Sequence, residues 1–204
     1  MPTPIDELRG QIEQLERELE IEYNRTRETW RYKIEAGRIR FDREVRLAHA
    51  RLRQSLPAFL RESNPASILT APVIYSLVIP IALIDAWISA YQFVCFPLYG
   101  ITRVPRSAYI VFDRQHLAYL NAVEKLNCVY CGYANGVLAY VREVAARTEQ
   151  YWCPIRHAKR LREAHAHYRA FVEYGDAEGY KRRLPMLRAE LKNDSQAGGT
   201  APSD

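Results

Sequence analysis

A mostly α-helical fold follows from three features of the sequence. Apolar residues recur at three- and four-residue steps through the first twenty positions. A forty-residue stretch then carries a single charge. Finally, two pairs of metal-ligand residues, Cys128 with Cys131 and Cys153 with His157, punctuate a region of helical periodicity. Together they predict a long N-terminal heptad helix, a membrane-inserted helical hairpin and a small helical domain stapled by metal. The segments are 1–62, 63–102 and 103–192, followed by a disordered tail at 193–204.

The chain has 204 residues, 48% of them hydrophobic and 14 of them Tyr, a composition that suits folded protein. Its net charge of +5 is unevenly distributed. Acidic residues dominate before Thr29, whereas nine Arg and Lys residues crowd positions 31–61. Such a basic patch suits an anionic lipid surface or nucleic acid. The opening "MPTPIDELRG" lacks the basic start and apolar run of a secretory signal. Four cysteines without an export signal read as reduced thiols or metal ligands.

The first segment reads as one long helix over Ile5–Leu60. Ile5, Leu8, Ile12, Leu15 and Leu19 make a heptad seam, and the pattern resumes with Phe41, Val45, Ala48, Leu52 and Leu56. Gly37 marks a kink and Pro57 an end. The seam predicts pairing with a second copy through residues 5–56. A helix folded back on its own chain is the alternative.

The second segment, Ser63–Thr102, contains only Asp85 as a charge, with Pro72, Pro80 and Pro97 as interruptions. Tyr75, Trp87, Tyr91 and Tyr99 supply the amphipathic rings of membrane interfaces. A single span over Val73–Val94 would bury Asp85, at about 2.5–3.5 kcal/mol. It would also put basic flanks on both sides of the bilayer, with Arg51, Arg53 and Arg61 before and Arg103 and Arg106 after. A hairpin with its apex at Pro80–Asp85 keeps both flanks on the cytoplasmic face. Its arms reach only ~18–22 Å, so it enters one leaflet and returns. A buried soluble core, or an apolar surface covered by an oligomer, is the third arrangement.

In the third segment "YIVF" is β-like. A helix is expected from Asp113, ending at Cys128 and Cys131 ahead of Gly132. Asn135 and Gly136 form a turn, and a second helix carries Val137, Leu138, Val141, Val144 and Ala145. Past Cys153, Ala158–Phe171 reads as a basic amphipathic helix and Ala177–Leu191 as a further helix.

The pattern C-x2-C, 21 residues, C-x3-H suits zinc, because three thiolates and one imidazole fill a tetrahedral shell. A set with no open position predicts a structural role. An iron–sulfur cluster, a redox-active thiol pair or inert packed thiols are the alternatives. Cys95 reads as a packing residue. "RTEQYW", residues 147–152, would orient the ligands from behind.

Candidate catalytic residues are few. Asp113 and His116 are three apart and Glu124 lies two turns on, a pattern that could move a proton or hold a metal. The plainer reading makes Asp113 a helix cap. Glu143 and Arg147 read as a helix ion pair, and His165 and His167 as solvated. No phosphate-binding loop, dinucleotide fingerprint, zinc-protease motif or nucleophile elbow occurs in the chain.

The stretch "NCVYCGYANG … RTEQYWCPIRH" resembles a bacterial family of membrane-associated proteins with no assigned activity, marked by NCxYCxYANG…RTEQYWCPIxH. The resemblance covers roughly Leu69 to His157 and implies those boundaries but no reaction. The expected function is a scaffold or adaptor at the cytoplasmic face of the inner membrane, contacting anionic lipid, a second copy and a protein partner. An accessory or enzyme subunit acting on a membrane-borne substrate is the alternative. Nucleic acid is a weaker partner, because Ala158–Lys192 offers only Tyr168, Phe171, Tyr174 and Tyr180 as base platforms.

Overall fold

The structure is a computed structural model that describes residues 4–29, 32–35 and 38–197. It is mostly helical, and the chain divides into two compact units.

The first unit comprises Met1–Ser55 with His116–Asn121. Helix α1 (Pro4–Thr29) is followed by strands β1 (Tyr32–Glu35) and β2 (Arg38–Phe41), then by helix α2 (Arg43–Arg51). The strands pair antiparallel, with Tyr32 opposite Phe41 and Ile34 opposite Ile39. The single long helix expected over Ile5–Leu60 is therefore interrupted. "YKIE" and "RIRF" alternate apolar and polar residues at period two, which favours a hairpin over a helix. Gly37, expected to kink a helix, lies outside the described residues. On α2, Val45 and His49 fall on the half-buried side, one turn apart. The His49 ring stands edge-on to Phe41 and to Tyr119, each at 5.4 Å. Arg53 Nε donates to Ala118 O at 2.9 Å. Ile12, Leu15 and Leu19 of the α1 seam are exposed.

The second unit comprises Leu56–Gln115 with Ala122–Ser203. Helix α3 (Leu56–Glu62) leads to α4 (Pro65–Ser76), which Asn64 caps by accepting from Ala66 N at 2.9 Å. Only Leu77, itself in helical conformation, separates α4 from α5 (Val78–Tyr99). Pro80 cannot donate to Ser76, so one turn of bonding loosens, yet its fixed φ continues the helix. Pro65–Tyr99 is thus a helical run long and apolar enough, by length and composition, to cross a membrane. The hairpin apex expected at Pro80–Asp85 is not there, since α5 passes unbroken through those residues. The run ends at Gly100, whose left-handed φ of 68° lets Ile101 N reach Phe96 O at 2.8 Å.

Ile101, Val104 and Ile110 of the following segment are buried, and "YIVF" forms no strand. Helix α6 (Ala122–Trp152) then runs 31 residues without a break. The two helices and intervening turn expected around Gly132–Gly136 are one helix. Those glycines are seats rather than breaks. A Cβ on Gly136 would stand 2.7 Å from Tyr109 O, so only glycine admits the 109–111 backbone there. Pro154 follows the helix end.

The basic helix expected over Ala158–Phe171 is absent; a short 3-10 turn at Ala166–Ala170 stands instead. His165 accepts from Tyr168 N and so ends the preceding loop. Backbone bonds Arg156 N to Val172 O and Val172 N to Pro154 O tie this loop together. Helix α7 (Ala177–Ala197) runs five residues past Lys192, into the segment expected as a disordered tail. The core joins α5, α6 and α7 through Phe96, Ile101, Val104, Tyr140, Val144 and Leu191.

Candidate functional site

Helix α5 turns its polar residues inward and most of its apolar residues outward. Asp85, Ser89, Gln92 and Phe96 follow at helical spacing on one stripe, and α6 covers that stripe. Asp85 and Gln92 are each 7% exposed. Tyr133 Oη donates to Asp85 Oδ2 at 2.9 Å, and Arg106 forks onto both carboxylate oxygens. Ser89 Oγ lies 3.3 Å from Tyr140 Oη. The Gln92 amide pairs with Val104 as a strand neighbour would. Its Nε2 donates to Val104 O at 3.2 Å, and Val104 N donates to its Oε1 at 3.0 Å. Polar groups inside an apolar helix are satisfied this way without water.

The two helices run parallel. Tyr75 meets Asn127 and Tyr130 at one end, and Tyr99 stacks on Tyr151 at the other, with ring centroids 5.1 Å apart. The face of α4–α5 away from α6 is apolar and open: Leu69 and Trp87 are 81% exposed, Leu98 77% and Leu83 66%. Scattered apolar side chains on a surface are ordinary, whereas a continuous run of this length marks an interface. Beside it, the Arg103 guanidinium lies 4.5 Å over the Phe93 ring, and Arg188 lies 4.6 Å over Tyr151.

The four residues of the C-x2-C…C-x3-H pattern do not converge. Cys128 and Cys131 lie within α6, whereas Cys153 follows its end. The 21 helical residues from Gly132 to Trp152 span about 32 Å at 1.5 Å per residue. Ligands of one zinc stand ~2 Å from the metal. In this structure the two half-motifs therefore stand apart, farther than one ion bridges. Among the described residues no group of three or more His, Cys, Asp or Glu is placed to hold a metal. The His157 ring stacks on Tyr168 instead, and all four cysteines are free thiols. Cys95 is half-buried on α5.

Cys128 and Cys131 do share a cleft of about 340 Å³ with Asp113, Arg114 and Asn135. Of the three catalytic candidates only Asp113 lines it. Glu124 sits in the first turn of α6, and His116 ends the 3-10 turn Arg114–His116 and falls in the first unit.

A second polar cluster was missed by sequence reasoning. His165 and His167 are not solvated; both are held against α6. His167 Nε2 lies 3.1 Å from Glu143 Oε1, and Nδ1 lies 2.6 Å from Gln150 Oε1. Gln150 Nε2 donates to Leu187 O at 2.8 Å, which fixes its Oε1 as the acceptor. Both ring nitrogens of His167 therefore face oxygen atoms of α6 side chains. Arg147 Nε adds a bond to Glu143 at 2.8 Å, as the ion pair expected from their spacing. The His167 hydrogen bond, with Arg147 behind it, holds the Glu143 carboxyl at about 2 against the penalty of burial. His165 Nε2 meets Glu149 Oε2 at 2.9 Å. "RTEQYW" thus orients no ligands. Arg147 also reaches Thr102 O, Thr148 meets Tyr91, and Tyr151 stacks on Tyr99. The close H-x-H pair was the available signal for this cluster.

No protein-family model, curated protein or solved structure matches the chain.

Proposed function

We propose that the chain is a membrane-associated adaptor whose α4–α5 run lies in the plane of one leaflet. The observation that supports this is the inverted polarity of that run, with polar side chains packed on α6 and apolar ones open. Length argues for the plane of the leaflet. Thirty-five residues make about 52 Å of helix against a hydrocarbon core of about 30 Å. So does the company α5 keeps. A crossing would take α6 with it, and α6 carries Arg142, Glu143, Arg147 and Glu149 beside the last turns of α5. Each charge costs about 2.5–3.5 kcal/mol at bilayer depth. An in-plane seat leaves them on the water side. Arg61, Arg103 and Arg106 then lie near headgroups, at about 1 kcal/mol each on an anionic surface, which favours the cytoplasmic face.

The open seam of Ile12, Leu15 and Leu19 supports pairing of α1 with a second copy as a coiled coil. That pairing makes the assembly an oligomeric scaffold that presents the helical unit to a protein partner. The cleft with Cys128, Cys131 and Asp113 supports a second reading, an accessory subunit acting on a membrane-borne substrate.

The test is flotation of the full chain with vesicles containing anionic lipid, with spin labels placed in turn at Leu69, Val73, Leu83, Trp87 and Leu98. An in-plane seat gives bound protein with all five labels at similar depth. Depths graded along the run mean a span. Protein that stays at the bottom of the gradient, with the face covered in a soluble oligomer, overturns the membrane reading.

A further inference from the structure

We propose that the groove between α3, α4 and α6 holds one acyl chain of a phospholipid from the leaflet on which α4 lies. The groove has a volume of about 450 Å³. That is within the range of pockets that hold one small ligand.

Its walls come from three helices. Phe59 and Leu60 line it from α3, Ile68, Ala71 and Ile74 from α4, and Val123 from α6. Four of the polar side chains on its rim, those of Ser63, Tyr75, Asn127 and Tyr130, are already engaged, beside Ser67 and the Cys131 thiol. Tyr130 Oη donates to Ile74 O at 2.8 Å, Tyr75 Oη donates to Asn127 Oδ1, and Ser63 Oγ donates to Phe59 O at 2.7 Å. A polar ligand would find few free partners, whereas a hydrocarbon chain needs none. Burying such a chain removes apolar surface on both sides from water.

The source of the chain follows from continuity. The α4 wall of the groove and the open face at Leu69 and Val73 are two sides of one helix. A helix lying in a leaflet has acyl chains along its outer side, and one that slips behind α4 enters the groove without crossing water. Arg61, directly after Leu60 on α3, is exposed and suits the phosphate of that lipid. The inference rests on the in-plane seat proposed above.

The experiment uses the full chain on vesicles of phosphatidylcholine and phosphatidylglycerol. A trace of phosphatidylglycerol carries a photoactivatable diazirine near the end of one acyl chain. Flotation and the map of cross-linked residues are read from the same sample. The expected result is floating protein labelled at Ile74 and at Val123–Tyr130 of α6. In Ala71→Phe, which fills the groove, the α6 label falls to background while flotation persists. Ile68→Trp is the second filling variant should Ala71→Phe not fold, and the wild-type map stands without either. Floating protein labelled only at Leu69, Val73, Leu83 and Trp87 overturns the groove and leaves the seat. An α6 label that survives both filling variants also overturns it. Protein–protein adducts in place of lipid adducts there mean that a second copy fills the groove. Protein that neither floats nor takes label overturns both proposals.

Discussion

Arg106 grips Asp85 with two parallel bonds, Nε to Oδ1 at 2.9 Å and a terminal nitrogen to Oδ2 at 2.6 Å. The two partners differ in their access to water: the Asp85 side chain is 10% exposed and that of Arg106 is 46% exposed. Loss of either is therefore unequal. Arg106→Ala leaves a buried carboxylate held mainly by Tyr133, and it should cost about 2 kcal/mol. Asp85→Ala leaves a guanidinium that can turn to solvent, and should cost less. The double variant should recover part of the Arg106→Ala loss. Denaturant unfolding of the three variants checks the order; equal losses would mean that the difference in burial does not matter, and no loss in either that the pair anchors nothing.

Two glycines one turn apart on α6 should respond oppositely to alanine. At Gly136 the new Cβ would meet Tyr109 O at 2.7 Å and Ile110 Cα at 2.9 Å, both backbone. Nothing there yields cheaply, so Gly136→Ala should cost about 1–3 kcal/mol. At Gly132 the nearest atom is Val111 O at 3.4 Å, an ordinary contact. There the gain in helix propensity, about 1 kcal/mol, prevails. Gly132→Ala should be neutral or stabilising. Thermal unfolding of both variants decides it, and destabilisation by both would mean that the 109–111 segment lies closer to α6 than described.

These glycines also show where the sequence misleads. "CGYANG" reads as a helix stop because Gly and Asn are turn formers, and local propensity says nothing of a segment that must pass close by. The metal-site expectation leaned on the same break, since cysteines at a helix end can share an ion with a neighbouring helix start, whereas here Cys128 and Cys131 lie inside a 31-residue helix and Cys153 beyond its far end. The apolar run at Ser63–Thr102 was legible, because hydropathy is local. Its inward stripe was legible too, had Asp85, Ser89, Gln92 and Phe96 been read by spacing rather than as one charge in grease. The β1–β2 pair was legible in the period-two alternation of "YKIE" and "RIRF". His167 was not, because its partners Glu143 and Gln150 lie on another element more than fifteen residues away.

Glu143 should make stability depend on pH in the acid range. Its carboxyl sits at about 2 in the folded chain against an ordinary 4.5. A depressed carboxyl stabilises the fold above its unfolded value, and that contribution is lost as pH falls from about 4.5 through about 2. The bonds from His167 and Arg147 favour the ionised carboxyl and lose that advantage once it is protonated. Glu143→Gln should therefore be less stable than wild type at pH 6, with the gap closing toward pH 2. Unfolding midpoints across this range check the sign. A gap that stays constant down to pH 2 would mean that Glu143 acts by packing rather than by charge.

Cys153 separates the structure from the metal-stapled domain that the cysteine spacing suggests. The residue is exposed, a free thiol just past the end of α6, and about 32 Å of helix lies between it and Cys131. Replacing an exposed side chain that makes no buried contact changes stability by under about 0.5 kcal/mol. Cys153→Ser should thus unfold at the wild-type midpoint. In the folded chain Cys131 and Cys153 should both react promptly with a water-soluble maleimide, and half-buried Cys95 and Cys128 more slowly. A loss of several kcal/mol in Cys153→Ser, with about one zinc bound per chain, would require α6 to break near Gly132 and bring the two half-motifs together. The parallel packing of α6 along α5 from Tyr133 to Tyr151 would have to be abandoned with it.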